Sequence, residues 1–260
     1  MPHIYIREDG LVHIPRLEVY PVTGCNLRCS QCAILSPYRN RIIPVEEFFE
    51  HHPAWREKIK TPIFAFIGGE IFLHPDVTAL TAGGRRIWFD SEIQIVSNGL
   101  LIPTLPDEVF EALRTYNIKV IISDHGIDLE KVYECLEARD IWYEKRPSCS
   151  HWKPRYRIID GKPTAFKNDP VIAREHCIAP YECYTLSKGK LYFCSILASV
   201  IDGIEEGALN VSDWSEVLSY RPLTLEDSAE TIVAHLEPRP IPECTICPDN
   251  ADFVENTQLI

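Results

Sequence analysis

The feature that most restricts the fold is a rhythm: from Leu17 onward, short apolar, β-branched runs return at intervals, with helical patterns between them. The runs Leu17–Val22, Ile63–Ile67, Ile93–Val96 and Ile118–Ile122 read as buried strands, because short continuous apolar segments suit strands covered on both faces. Weaker runs at Trp142–Lys145 and Arg155–Ile159 bring the βα-like units to six in roughly 165 residues. Strands alternating with helices predict a parallel sheet with its chemistry at the strands' C-terminal ends. Pro44 to Lys58 reads as one helix with Val45, Phe48, Phe49 and Trp55 buried, and Pro106-Asp107 and Asp128 open two more. The polar–apolar alternation of Ile4 to Ile14 around Asp9-Gly10 predicts a hairpin in front. The expected class is therefore α/β, a partial (β/α)6 TIM-like barrel over residues 1–165.

Charge and cysteine content narrow the functions open to such a barrel. With 38 acidic and 26 basic side chains the net charge is −12, the wrong sign for counterion-driven binding, so neither nucleic acid nor a membrane surface is an expected partner. No apolar run reaches the roughly 18 residues of a membrane span. Pro2, His3, Arg7, Glu8 and Asp9 lack the basic-then-apolar order of a signal peptide, and a cytoplasmic protein is expected. Ten cysteines then stand out, because clustered thiols in a reducing compartment are metal ligands or catalysts more often than disulfides.

Cys25-Asn26-Leu27-Arg28-Cys29-Ser30-Gln31-Cys32 sets three thiols within eight residues directly after the first strand. A zinc site would need a distant fourth cysteine, whereas a four-iron cluster on three cysteines keeps one iron open. On these residues the chain resembles the radical S-adenosylmethionine (SAM) enzymes, whose signature is Cys-x3-Cys-x2-Cys after a first strand. The resemblance implies a [4Fe-4S] cluster on Cys25, Cys29 and Cys32, with SAM chelating the open iron through its amino and carboxylate groups. Gly68-Gly69-Glu70, one strand later, resembles the family motif that receives the methionine ammonium, although the triplet alone is also an ordinary turn. Further SAM contacts are implied for Ser97 and Asn98 in Ser97-Asn98-Gly99, and for Ser123 in Ser123-Asp124-His125. Any βα junction can use such turns as well. Gln31 stands where the family usually has an aromatic beside the adenine, and Ile71 follows the glutamate where proline is common.

Cys177, Cys183, Cys194, Cys244 and Cys247 form a second set. A hairpin turning at Ser187-Lys188-Gly189 delivers Cys194, and the knuckle Cys244-x2-Cys247 follows about fifty residues later; a zinc ribbon looks similar at this level. Beside the first motif, the arrangement resembles the Twitch domain, a shortened relative of the SPASM domain. It implies one auxiliary [4Fe-4S] cluster on Cys177, Cys194, Cys244 and Cys247, with Cys183 as alternate ligand. This hairpin-plus-helix domain is expected over residues 166–260, its helix near Leu225 to Leu236. Cys135 is expected to pack as a small hydrophobe, and Cys149 has no partner at metal spacing.

The resemblance implies reductive cleavage of SAM, with an electron from a flavodoxin or ferredoxin, to a 5′-deoxyadenosyl radical that abstracts hydrogen from a small polar substrate. With an auxiliary cluster to accept a second electron, the expected oxidoreductase outcome is a sugar or aminocyclitol alcohol converted to a ketone. An epimerase, with Cys149 or Cys183 returning a hydrogen atom, is the alternative. A peptide-modifying (RiPP) maturase ranks behind it, since no leader-recognition domain precedes the barrel, and a non-enzymatic iron–sulfur or zinc scaffold would leave Gly68-Gly69-Glu70 idle. The expected acid–base groups are His125, Arg155 and Arg157, with Asp124, His151 and Tyr156 as further pocket residues.

Overall fold

The computed structural model describes residues 4–147, 151–177, 184–250, 252–255 and 258–259. An antiparallel hairpin, β1 (Tyr5–Ile6) and β2 (Val12–His13), leads into β3 (Leu17–Val19), and the loop beyond holds the two-residue strand β4 (Arg28–Cys29). The single helix expected from Pro44 to Lys58 is instead two, α1 (Val45–Phe49) and α2 (His52–Arg56). Pro53 lacks the N–H that would bond the Phe49 carbonyl, which breaks a continuous helix there. Phe49 and Trp55 are buried as expected. After β5 (Ile59–Lys60), which pairs with β2, strands and helices alternate: β6 (Ile63–Phe66), α3 (Val77–Ile87), β7 (Glu92–Ser97), α4 (Asp107–Thr115), β8 (Ile118–Ile122), α5 (Glu130–Ala138) and β9 (Tyr143–Lys145).

The remaining chain begins with β10 (His151–Trp152) and a hairpin of β11 (Arg157–Ile159) and β12 (Lys162–Thr164), then α6 (Pro170–Glu175). A second hairpin, β13 (Thr185–Ser187) and β14 (Lys190–Tyr192), is followed by α7 (Ser195–Glu205), α8 (Ala229–Leu236), β15 (Val254–Glu255) and β16 (Gln258–Leu259). The run at 155–159 is not a barrel strand: Asp160 and Gly161, both at positive φ, fold β11 straight back onto β12, with Ile158 and Ile159 exposed. The sixth parallel place is taken by β13, which lies beside β3 at the other end of the sheet. The order is β14-β13-β3-β6-β7-β8-β9, with β13 to β9 parallel and β14 antiparallel at the edge. The molecule is thus an α/β partial barrel.

Alternation along the strands sorts the two faces. Ile93, Ile95, Ile118, Val120 and Ile122 join the main core with Leu80, Phe110, Leu113 and Leu136 from α3, α4 and α5. The opposite face carries polar groups low in the sheet: Arg16 bonds Glu18 (2.9 Å) and Gln94 (2.8 Å), and Lys119 pairs with Glu144 (2.7 Å). Two residues beyond Gln94 on that face, Val96 reaches the cavity described below. A smaller core gathers Leu35, Tyr156, Leu197, Val200, Trp214 and Ile246, so α7 is buried between the sheet and the C-terminal segment. No helix among the described residues is long and apolar enough to cross a membrane.

Candidate active site

The cysteine loop is clamped over the end of β6. Gly69 N donates to the Val22 carbonyl and Glu70 N to the Gly24 carbonyl, each at 2.9 Å. A Cβ on Gly69 would fall on the Gly24 carbonyl, and one on Gly68, at φ 131°, would meet the Val22 carbonyl; both positions therefore require glycine. The Gly-Gly pair is what lets the chain entering Cys25 approach so closely.

Cys25, Cys29 and Cys32 line one open cavity at the C-terminal ends of β6, β7 and β8. Its opposite wall is made by Gly68, Gly69, Ser97, Asn98, Ser123 and His125. The Cys25 sulfur accepts from Leu27 N at 3.3 Å and from Asn98 Nδ2 at 3.6 Å, while His125 Nδ1 lies 4.0 Å from the Cys29 sulfur. Burial pushes the Cys25 thiol up to about 11 and the Cys29 thiol up to about 12, and the neighbouring thiols add to the effect. Such thiols ionise when a cation shares their charge, the linkage expected of ligands whose metal displaces protons. N–H donors aimed at sulfur and three thiols around an open space fit a cluster with one exposed iron. Among the described residues no group of three or more His, Cys, Asp or Glu could hold a single metal ion.

Five expected SAM contacts, Gly68, Gly69, Ser97, Asn98 and Ser123, face this cavity, whereas Glu70 and Gln31 are turned elsewhere. Glu70 is fully buried and accepts bonds from Ser97 Oγ (2.9 Å), Asn98 N (3.0 Å) and Phe72 N (3.1 Å). Burial raises its pKa against the pull of those donors. The carboxylate braces the end of β6 to the end of β7 beneath the cavity floor. Gln31 Oε1 accepts from Arg155 N at 2.8 Å.

Of the expected acid–base residues, only His125 lies in this cavity, its pKa lowered by burial. It stacks on Trp152, with ring centroids 5.5 Å apart and 21° between planes. Trp152 lines the cavity too, although no motif marks it; its place depends on β10 pairing with β15, a contact between segments far apart in the sequence. Arg157 is exposed on β11, with its guanidinium on the Ala165 carbonyl (2.7 Å). Arg155 lines a different cavity.

That second cavity brings together Cys177, Cys194, Cys244 and Cys247, with Phe193 and Ile246 in its apolar wall. Cys177 follows α6, Cys194 stands between β14 and α7, and the knuckle cysteines are held by the Cys247 N bond to the Cys244 carbonyl (3.0 Å). Asn168 fastens the knuckle through the Cys247 carbonyl (3.1 Å). Burial pushes the Cys194 and Cys247 thiols up to about 12. Arg155 Nε is buried with no hydrogen-bond partner among the described residues, so a donor awaits an acceptor in a space ringed by sulfur. The four thiols and this donor fit a fully ligated iron–sulfur cluster. Cys183 and Cys149 lie outside the described residues.

Among curated proteins nothing matches the sequence. Among solved structures, "Crystal structure of BtrN in complex with AdoMet and 2-DOIA" is similar over 92% of this chain and 96% of that one, with TM-score 0.53 and 15% identity. A histidine-tagged anSMEcpe with bound AdoMet is 19% identical over 51% of this chain and 43% of that one, TM-score 0.41. SuiB of Streptococcus suis bound to precursor peptide SuiA is 16% identical over 53% and 34%, TM-score 0.42. The chain spans less than half of either of these two. Residues 19–138, from β3 through α5 with the three-cysteine loop and Gly68-Gly69-Glu70, match the model described as "Radical SAM superfamily", and this stretch of the partial barrel is a radical SAM domain.

Proposed function

We propose that the chain is a radical SAM oxidoreductase that converts the alcohol of a sugar or aminocyclitol to a ketone. The observation that carries this reading is the meeting of Cys25, Cys29 and Cys32 with Gly68, Asn98 and Ser123 on one cavity at the ends of parallel strands. A [4Fe-4S] cluster held by the Cys25, Cys29 and Cys32 thiolates would supply the electron for reductive cleavage of SAM, and with it the radical chemistry that breaks the carbinol C–H bond. The Gly68-Gly69 backbone, Ser97, Asn98 and Ser123 hold SAM, and Glu70 keeps Ser97 and Asn98 in place. Once the carbinol C–H bond has broken, the substrate radical loses its hydroxyl proton to a base and one electron to an acceptor, and C=O forms. His125, left neutral by burial, takes the proton through Nε2, Nδ1 being the nitrogen beside Cys29. Cys177, Cys194, Cys244 and Cys247, read as the ligands of the auxiliary cluster of a Twitch domain spanning residues 166–260 behind a 1–165 barrel, would hold the acceptor for that electron. The likeness to BtrN, whose complex contains AdoMet and 2-DOIA, supports a substrate of that kind over a peptide. A flavodoxin or ferredoxin in the cytoplasm is the reductant this chemistry calls for.

The test is anaerobic turnover of the reduced, reconstituted protein with candidate alcohols deuterated at the carbinol carbon. Deuterium should appear in 5′-deoxyadenosine, with one SAM consumed per ketone. Solvent deuterium at the reacting carbon of an alcohol product, in a run in D2O, would reject oxidation in favour of epimerisation.

A further inference from the structure

One short segment borders both cavities. Trp152 faces the three-cysteine cavity, and the next three residues, Lys153, Pro154 and Arg155, face the four-cysteine one. Lys153 is 5% exposed, with its ammonium bonded to the His176 carbonyl. Arg174, from α6 on the far side, reaches the Cys177 sulfur at 3.8 Å through Nη1. Against these three cations the lining holds Glu243, whose carboxylate accepts from Ser219 at 3.4 Å. A space with mainly apolar walls has thus been given, among the described residues, an excess of positive charge and a buried guanidinium N–H without an acceptor.

We propose that Arg155, supported by Lys153 and Arg174, sets the reduction potential of the cluster held by Cys177, Cys194, Cys244 and Cys247, raising it so that this site takes up the substrate's electron. The inference rests on reading those four thiols as an iron–sulfur site. A cluster on four thiolates is anionic and gains one more negative charge on reduction. A cation a few ångströms away in a poorly screened interior therefore stabilises the reduced form more than the oxidised one, and net charge and hydrogen bonds to sulfur are among the levers that set cluster potentials. Arg155 suits this role better than that of a base: its charge is permanent, and it points away from the cavity assigned to SAM.

The experiment uses the full chain with Cys25, Cys29 and Cys32 replaced by Ala, so that one cluster signal remains. After anaerobic reconstitution, iron is counted and the signal is followed by electron paramagnetic resonance during a redox titration. Arg155→Gln should keep its iron and become harder to reduce, with the ratio of reduced to oxidised cluster at fixed potential falling at least about tenfold, a shift of about 59 mV for one electron. Arg155→Lys should recover most of the shift, and Arg174→Gln should move the potential in the same direction by less. An unchanged potential in both Gln variants with iron retained would overturn the electrostatic role and leave the oxidoreductase reading standing. If Arg155→Gln loses its cluster, the Arg174→Gln potential decides by itself. Zinc, or no metal, in the parent triple variant would instead defeat the four-thiol cluster and with it this inference.

Discussion

The side-chain oxygen of Gln31 accepts the backbone N–H of Arg155 at 2.8 Å and lies 3.4 Å from that of Tyr156, tying the first cysteine loop to the segment that walls off the second cavity. The residue that departs from the family pattern beside the third cysteine is therefore a structural joint between the two sulfur sites. Gln31→Ala removes the acceptor and leaves these amides without a partner, which costs about 1–3 kcal/mol. A lowered melting temperature together with faster amide exchange at Arg155 and Tyr156 is the expected result; an unchanged exchange rate at both would show that the joint does not hold the segment.

Glu70→Ala takes the acceptor away from Ser97, Asn98 and Phe72 at once. Hydrogen bonds to a charged group contribute about 1.5–3 kcal/mol, so SAM affinity should fall roughly ten- to a hundredfold as the Ser97-Asn98 wall relaxes. Iron content should stay at the wild-type level, because Glu70 touches none of the three thiols. Titration with SAM under reducing conditions checks it, and an unaltered affinity would leave Glu70 a brace with no bearing on the ligand.

His52 supplies a pH dependence that is independent of the sulfur sites. It is enclosed by Phe48, Phe49, Phe64 and Trp88, accepts the Trp88 indole N–H at 3.3 Å, and burial lowers its pKa to about 3. Because the folded value lies below the unfolded one, this contribution to stability is complete above the ordinary histidine range and declines as pH falls toward the folded value. Between pH 7 and pH 5 the loss is about 2 kcal/mol. Denaturant unfolding of the wild type and of His52→Gln at the two pH values should differ in slope by about that amount, and equal slopes would show that His52 is not kept neutral.

Anaerobic reconstitution should load about eight iron atoms per chain, four for each sulfur set. Replacing Cys25, Cys29 and Cys32 together with Ala should remove about half of that iron and all SAM cleavage. Replacing Cys244 and Cys247 should spare SAM cleavage while abolishing ketone formation. Loss of SAM cleavage in the second variant, with its first cluster intact, would mean that the two sites are not separable in the way proposed.

What could be read directly was whatever local pattern dictates. The strands at Ile63, Ile93 and Ile118 stand where their β-branched runs lie, and the β13–β14 hairpin turns at Lys188-Gly189, both at positive φ. What escaped was set by distant partners. The helix α7 is apolar on nearly every side, with Ile196, Leu197, Ala198, Val200 and even Asp202 buried, so it has no amphipathic stripe to reveal it. Its Asp202 is held by Tyr20 (3.0 Å) and Ser187 (2.6 Å), neither a local neighbour. Likewise the five cysteines of the second set could be grouped from spacing, but that Arg155 lines the cavity of Cys177, Cys194, Cys244 and Cys247 while Trp152 lines the other accompanies two contacts distant in sequence, the pairing of β10 with β15 and the Gln31 bond to the Arg155 amide.

The pairing of β13 with β3 has a consequence for how the chain can be divided. The strand that delivers Cys25 is hydrogen-bonded on one side to β6 and on the other to the hairpin that delivers Cys194. A fragment ending before β13 would expose the whole outer rim of β3, a row of unmet amides and carbonyls of the kind that recruits strands from other molecules. The C-terminal segment therefore acts as a seal on the barrel as well as a holder of thiols. Recombining this barrel with a foreign C-terminal module would succeed only with a module that brings its own strand to that seam.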